Sequence, residues 1–286
     1  MKNTNSAVLL VKCPERKGVV AAISNFIYEH NGDILHSDQH QVPELKLFMM
    51  RVEWDLEGFS FPLGEFYERF AAIQKQFEME CRVAHSDARP RVAILVSKSG
   101  HCLADLLYRH QIGELNCEIP LVASNHEDTR RLAEFYGIPF HHIPVAKEKR
   151  EEAERQMLDL LERENVELVV LARYMQILSG AFINRYPNRI INIHHSFLPA
   201  FIGAKPYHRS YERGVKMVGA TSHYVTEVLD EGPIIEQDIA RISHRDSLED
   251  LIRKGSDVEK VVLSRAVRWH VENRVVVYGN KTAVFA

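Results

Sequence analysis

The sequence predicts an α/β chain of two domains: a small ferredoxin-like β-α-β-β-α-β unit, then a larger domain built on a mostly parallel sheet. Two observations carry that class. Over the first eighty residues, strand-like runs and helix stripes follow one another in the ferredoxin-like order. From residue 92 onward, unbroken apolar runs of four to six residues alternate with helical patterns, as strands buried on both faces require.

Residues 7–13 (AVLLVKC) read as a strand, and the following helix places Val19, Ile23, Phe26 and Ile27 on one face. "DILHSDQHQV" and "LKLFMMRVEWDL" read as a hairpin turning at Pro43-Glu44. Phe66, Phe70, Ile73 and Phe77 recur at helix spacing, so they predict a stripe buried on a sheet, with a last strand from about Glu78 to His85. "SDARPR", residues 86–91, interrupts the pattern, which places the first domain at 1–86 and the second at 87–286. In the second domain strands are expected at 92–96, "IPLVAS", "FHHIPV", "LVVLA" and "RIINIH", with helices near 103–109, 129–136 and 147–164. Beyond residue 200, "KMVGATSHYV" and "PIIEQDIARI" read as strands, and Ser247 with Asp250 three residues on marks the start of a final long helix.

The chain has 286 residues and a net charge of -3 from 36 basic and 39 acidic side chains. That balance supplies no general attraction to nucleic acid or an anionic membrane, so neither is expected as a partner. Cys13, Cys81, Cys102 and Cys117 are widely spaced, without a C-x-x-C pair, which argues against a zinc knuckle or disulfide scaffold and fits a reducing cytoplasm. The first apolar run is too short for a signal core or a membrane span.

The chemistry is expected at "RIINIHHSFLPA", residues 189–200. Strand alternation puts Asn192 and His194 on one side and His195 on the other, so a shared metal is disfavoured and no metal site is expected. Ligands of open α/β sheets bind beyond the carboxyl ends of strands, where this run meets a proline-bearing loop. An Asn amide can hydrogen-bond an oxyanion, and a His can donate a proton near neutral pH. The alternative is a strand-end histidine bonded only for structure. His141 and His142 in "FHHIPV" lack the preceding polar residue and are read as structural or peripheral, as is His195. Asp230, before the turn Glu231-Gly232-Pro233, is the candidate carboxylate, or else an ordinary turn aspartate.

"NIHHSFLP", "SHYVTEVLDEGPII" and "LARYMQILS" together resemble the N10-formyltetrahydrofolate-dependent formyltransferase family, with its Rossmann-like domain, and especially its deformylase members, which carry an amino-terminal ACT domain. The resemblance spans almost the whole chain. It implies catalytic roles for Asn192, His194 and Asp230, with His223 supporting them. It also implies that a folate pterin binds mainly to backbone groups of Met175, Gln176, Ile177 and Leu178 and of Val225, Thr226, Glu227, Val228 and Leu229. The family often has Arg where this chain has Gln176, with little effect expected on backbone contacts.

Members that formylate glycinamide ribonucleotide carry a Gly- and Ser-rich phosphate loop, whereas this chain has "SKSGHCLADLL" with the single Gly100. Water is therefore the expected acceptor. The implied reaction is hydrolysis of 10-formyltetrahydrofolate, with the folate as substrate and no separate cofactor; formyl transfer to an amine such as glycinamide ribonucleotide is the rival, and folate binding without catalysis a further one. The resemblance also implies a homo-oligomer with glycine or methionine as ACT effector, near "CPERKG" (13–18) and "HNGD" (30–33), although a domain used only for association reads equally well.

Overall fold

The computed structural model describes residues 5–200 and 206–286. Its first unit contains β1 (Ser6–Pro14), α1 (Val19–Glu29), β2 (Asp33–Val42), β3 (Leu47–Asp55), α2 (Phe66–Phe77) and β4 (Glu80–His85). The strands form an antiparallel sheet in the order β2-β3-β1-β4, the ferredoxin-like arrangement expected from the apolar periods. Alternation along β1 sends Ala7, Leu9, Val11 and Cys13 towards the helices. There they meet Ile23 and Ile27 from α1 and Phe66 and Phe70 from α2, all fully buried.

The second unit, Arg89–Val271 with Gly279–Thr282, begins with β5 (Arg91–Val96) and α3 (His101–Gln111). It continues through β6 (Glu118–Ser124), α4 (Arg130–Phe135), β7 (Phe140–His142), α5 (Arg150–Arg163), β8 (Leu168–Leu171), α6 (Gly180–Ile183) and β9 (Ile190–His194). Then come α7 (Pro206–Arg213), β10 (Met217–Tyr224), β11 (Ile234–Arg241) and α8 (Leu248–Val271). The seven-stranded sheet runs β11-β10-β9-β8-β5-β6-β7, parallel from β7 through β9 and antiparallel where β10 and β11 join. Strand order reverses at β5, with β6 on one side and β8 on the other, so a crevice is expected beyond their carboxyl ends. The five residues Val92–Val96 are buried, which explains their lack of polar alternation. Ser247 and Asp250 form the expected reciprocal cap: Asp250 N–H donates to Ser247 Oγ at 3.2 Å, and Ser247 N–H to Asp250 Oδ2 at 3.0 Å.

The end of the chain departs from the expected 87–286 domain. The hairpin strands β12 (Val275–Tyr278) and β13 (Lys281–Val284) follow α8, and residues Glu272–Tyr278 and Ala283–Ala286 cluster with the first unit, which runs to Ala88. Leu10 and Met49 point away from the helix-covered side of the first sheet, and Val276, Ala283 and Phe285 pack on them. An uninterrupted apolar β1 thus has two buried faces, and the second is covered by residues more than two hundred positions away.

Candidate active site

The site is set by how β9 pairs with β10. Their antiparallel register places His223 opposite Asn192 and Thr221 opposite His194. His223 Nδ1 lies 2.9 Å from the Tyr224 carbonyl oxygen, so this nitrogen carries the proton and Nε2 is the acceptor. The Asn192 amide Nδ2, 3.2 Å away, donates to it. Burial pushes the His223 imidazole down despite that carbonyl partner, which keeps the ring neutral and holds the Asn192 side chain in one orientation.

Asp230 returns to this strand end from the loop after β10. Tyr224 N–H donates to the Pro233 carbonyl at 2.9 Å, closing the loop at its base. Gly232 is required there, since an added Cβ would stand 1.7 Å from the Tyr224 carbonyl oxygen. Asp230 itself has a left-handed backbone, φ 59°, a conformation that Asp tolerates better than most residues. Its Oδ2 lies 3.3 Å from His194 Nδ1 and its Oδ1 3.8 Å from His223 Nε2. Burial pushes the Asp230 carboxyl up, but the His194 hydrogen bond and the neighbouring imidazoles outweigh it and hold the group below its usual range. His194 Nε2 is buried with no protein hydrogen-bond partner among the described residues. The arrangement therefore presents a carboxylate, an imidazole nitrogen available to a ligand and a fixed amide, a set able to move a proton and bind an oxyanion.

These groups open on a cavity of about 720 Å³, within the range of small-molecule sites. Met175, Gln176, Ile177 and Leu178 line it, as do Val225, Thr226, Glu227 and Leu229. Val228 is exposed and does not line it. Met175, Ile177 and Leu229 are each more than half exposed, an apolar rim suited to a flat ring. The 173–178 segment is anchored by Ser97, whose Oγ accepts the Met175 N–H at 3.0 Å and donates to Asn125 Oδ1 at 2.7 Å. The Ile177 carbonyl, one of the backbone groups expected to meet the pterin, accepts from Arg150 Nη2.

Among the further lining residues that the sequence did not single out for the cavity are His101, Arg173, His195, Tyr207 and Glu259. His195 corrects the strand-parity expectation. β9 ends at His194, alternation no longer applies at the next residue, and the His195 ring lies 5.2 Å from that of His194. The signal for Glu259 is legible in hindsight as a carboxylate on the Leu251, Gly255, Val262 stripe of α8. His101, Cys102 and Glu259 bring three potential metal-ligand atoms together. The Glu259 oxygens, however, already accept from His101 Nε2 at 2.8 Å and from the Tyr207 hydroxyl, with Arg173 Nε 3.5 Å away, so this donor set is satisfied by protein groups. His141 and His142 lie elsewhere, in β7, with His142 Nδ1 2.9 Å from Glu127 Oε1.

A sheet with a strand-order switch and an Asn, His and carboxylate set at its crevice defines a class, and residues 90–267 match the family described as formyl transferase. Over its full length the chain goes further. It is 52% identical to a formyltetrahydrofolate deformylase of Synechocystis sp., covering 98% of this chain and 99% of that one. The crystal structure of a formyltetrahydrofolate deformylase from Pseudomonas syringae pv. tomato superposes with a TM-score of 0.98 at 47% identity, over 100% of this chain and 96% of that one. A glycinamide ribonucleotide transformylase 1 from Symbiobacterium toebii gives a TM-score of 0.66 at 32% identity, covering 69% of this chain and 95% of that one. The chain belongs to the formyltetrahydrofolate deformylase family.

The buried histidine gives a pH prediction. Burial, and then the Arg173 guanidinium, push the His195 imidazole from its ordinary 6.5 down to about 4. Between those values the unfolded chain binds a proton that the folded chain does not, so stability rises with pH across the window and is lost as pH falls. Replacing His195 by Gln should flatten that dependence in urea titrations run from pH 4 to pH 7, and an unchanged slope would count against a neutral buried His195.

Proposed function

We infer that the chain hydrolyses 10-formyltetrahydrofolate to formate and tetrahydrofolate, supplying formate to one-carbon and purine metabolism. The observation that carries this reading is full-length correspondence with formyltetrahydrofolate deformylases, set beside a transformylase likeness that accounts for 69% of the chain. The region where a phosphate loop would be sought supports it. Gly100 leads directly into α3, and the next side chain, His101, is committed to Glu259.

In the proposed mechanism Asp230 orients water and takes one of its protons as the oxygen bonds to the formyl carbon. The oxyanion is held by the second Asn192 amide N–H and by protonated His194 through Nε2. Collapse breaks the carbon–N10 bond, and N10 takes the His194 proton. Asp230 then loses its proton to solvent, His194 Nε2 takes one up, and formic acid ionises. Each of these groups typically contributes about a hundredfold or more to rate. The folate pterin is assigned to the cavity rim formed by 175–178, 225–227 and 229, with His223 positioning Asn192.

The first unit is assigned as an amino acid sensor that associates with a second copy of the chain. Two features support this. α1 starts at Gly18 with no side-chain cap and no acidic residue in its first turn, so its leading N–H groups suit a carboxylate. β2 is an edge strand of the sheet and is largely exposed along its length. The free cysteines support a cytoplasmic setting.

Asp230→Asn should lower formate release by at least about a hundredfold while folate binding, read by titration calorimetry, stays within severalfold; near-normal turnover would remove Asp230 from the mechanism. The purified protein given 10-formyltetrahydrofolate and no amine should release formate catalytically, whereas release only after adding glycinamide ribonucleotide would favour the transferase. Glycine or methionine should change that rate at fixed substrate. If no amino acid does so, the first unit serves association alone.

A further inference from the structure

Arg173 follows the end of β8 with φ 64°, a left-handed backbone that long side chains rarely adopt. Such strain is informative when the side chain reaches a functional cavity. Here it does: Arg173 lines the cavity, its side chain is 15% exposed, and Nε and Nη1 are buried without a hydrogen-bond partner among the described residues. Among the described residues its close ionic neighbour is Glu259, 1% exposed, at 3.5 Å. Burial pushes the Glu259 carboxyl up, but the His101 hydrogen bond and the Arg173 charge overcome this and keep it ionised.

The Glu259 partners come from separate elements: His101 from the start of α3 and Tyr207 from α7. Tyr207 comes close because α8 has Gly255 beneath its ring, where a Cβ would stand 2.3 Å away. The result is a cross-linked polar wall. It is reached from His194 through His195, whose ring lies 5.2 Å from that of His194 and 6.0 Å from that of Tyr207. A wall this heavily braced, with a strained residue in it, is poorly explained as a product of packing alone.

We propose that Arg173, tethered by Glu259, is a specificity-determining residue: its side chain fills the volume beside the formyl group that an amine acceptor would need, leaving room for water. This rests on the hydrolase reading. With the volume opened, a primary amine nitrogen attacks the formyl carbon in place of water. The carbon–N10 bond breaks, the amine gives up one proton, N10 gains one, and the products are the N-formyl amine and tetrahydrofolate.

The test compares the full-length parent with Arg173→Gly, which opens the volume and relieves the left-handed strain, and Arg173→Met, which drops the charge but keeps most of the bulk. Each is given 10-formyltetrahydrofolate with excess glycinamide, and formate and N-formylglycinamide are quantified separately against an enzyme-free blank. The parent should yield formate, Arg173→Gly should raise the N-formyl share at least tenfold, and Arg173→Met should keep the parental partition. An unchanged partition in Arg173→Gly, or an equal rise in Arg173→Met, overturns the proposal. Should Arg173→Gly fail to fold, Arg173→Ala removes nearly the same bulk and should shift the partition in the same direction; no shift overturns it equally. A parent that releases no formate without amine defeats the hydrolase reading instead, which is a separate outcome.

Discussion

The pairing of β9 with β10 is the constraint on which the site depends. Because side chains alternate along strands, the register that sets His223 opposite Asn192 also sets Thr221 opposite His194, and a one-residue slip would send both pairs to the wrong faces. Thr221 helps secure that register. Its hydroxyl donates to the Ser196 carbonyl at 2.9 Å and accepts the Leu198 N–H at 3.0 Å, which ties the segment after β9 to β10. The close fit of Gly232 against Tyr224 then turns the loop back and delivers Asp230 to His194. Backbone geometry, rather than a direct bond between Asn192 and Asp230, brings the three groups together.

The cavity beyond has two chemically different parts. One is rimmed by exposed apolar side chains at 175, 177 and 229 and suits a flat heterocycle. The other holds Arg173, Glu259, His101 and Tyr207 in a braced polar cluster. Buried ion pairs are weak sources of stability because desolvation offsets their attraction. A buried pair with a strained backbone at one end is therefore better read as shaping the cavity than as holding the fold together.

Much of this was legible in the sequence because it depends on periodicity. The helix face of Val19, Ile23, Phe26 and Ile27 is the buried face, and the apolar runs at 92–96 and 168–171 are central strands. Asn192, His194 and Asp230 could be singled out as candidates because a polar pair ending an apolar strand and an Asp before a Gly-Pro turn are local signals. What escaped depends on long-range packing or on dihedrals. His195 faces the cavity because its strand has just ended. The left-handed backbone of Arg173 has no sequence signature, and Glu259 looks like one more charge on a charged helix until its face is known. β12 and the end of β13 join the first unit because Leu10 and Met49 need a cover, a requirement visible only from the far end of the chain.

The central claim is that water, activated at Asp230 and His194, supplies the oxygen that leaves in formate. A single turnover in oxygen-18 water, followed by mass spectrometry of the formate and of the Asp230-containing peptide, tests this directly. One heavy oxygen in the formate and none in the peptide is the result expected. Unlabelled formate, with the label appearing in Asp230 in that same turnover, would show direct attack by the carboxylate and contradict it.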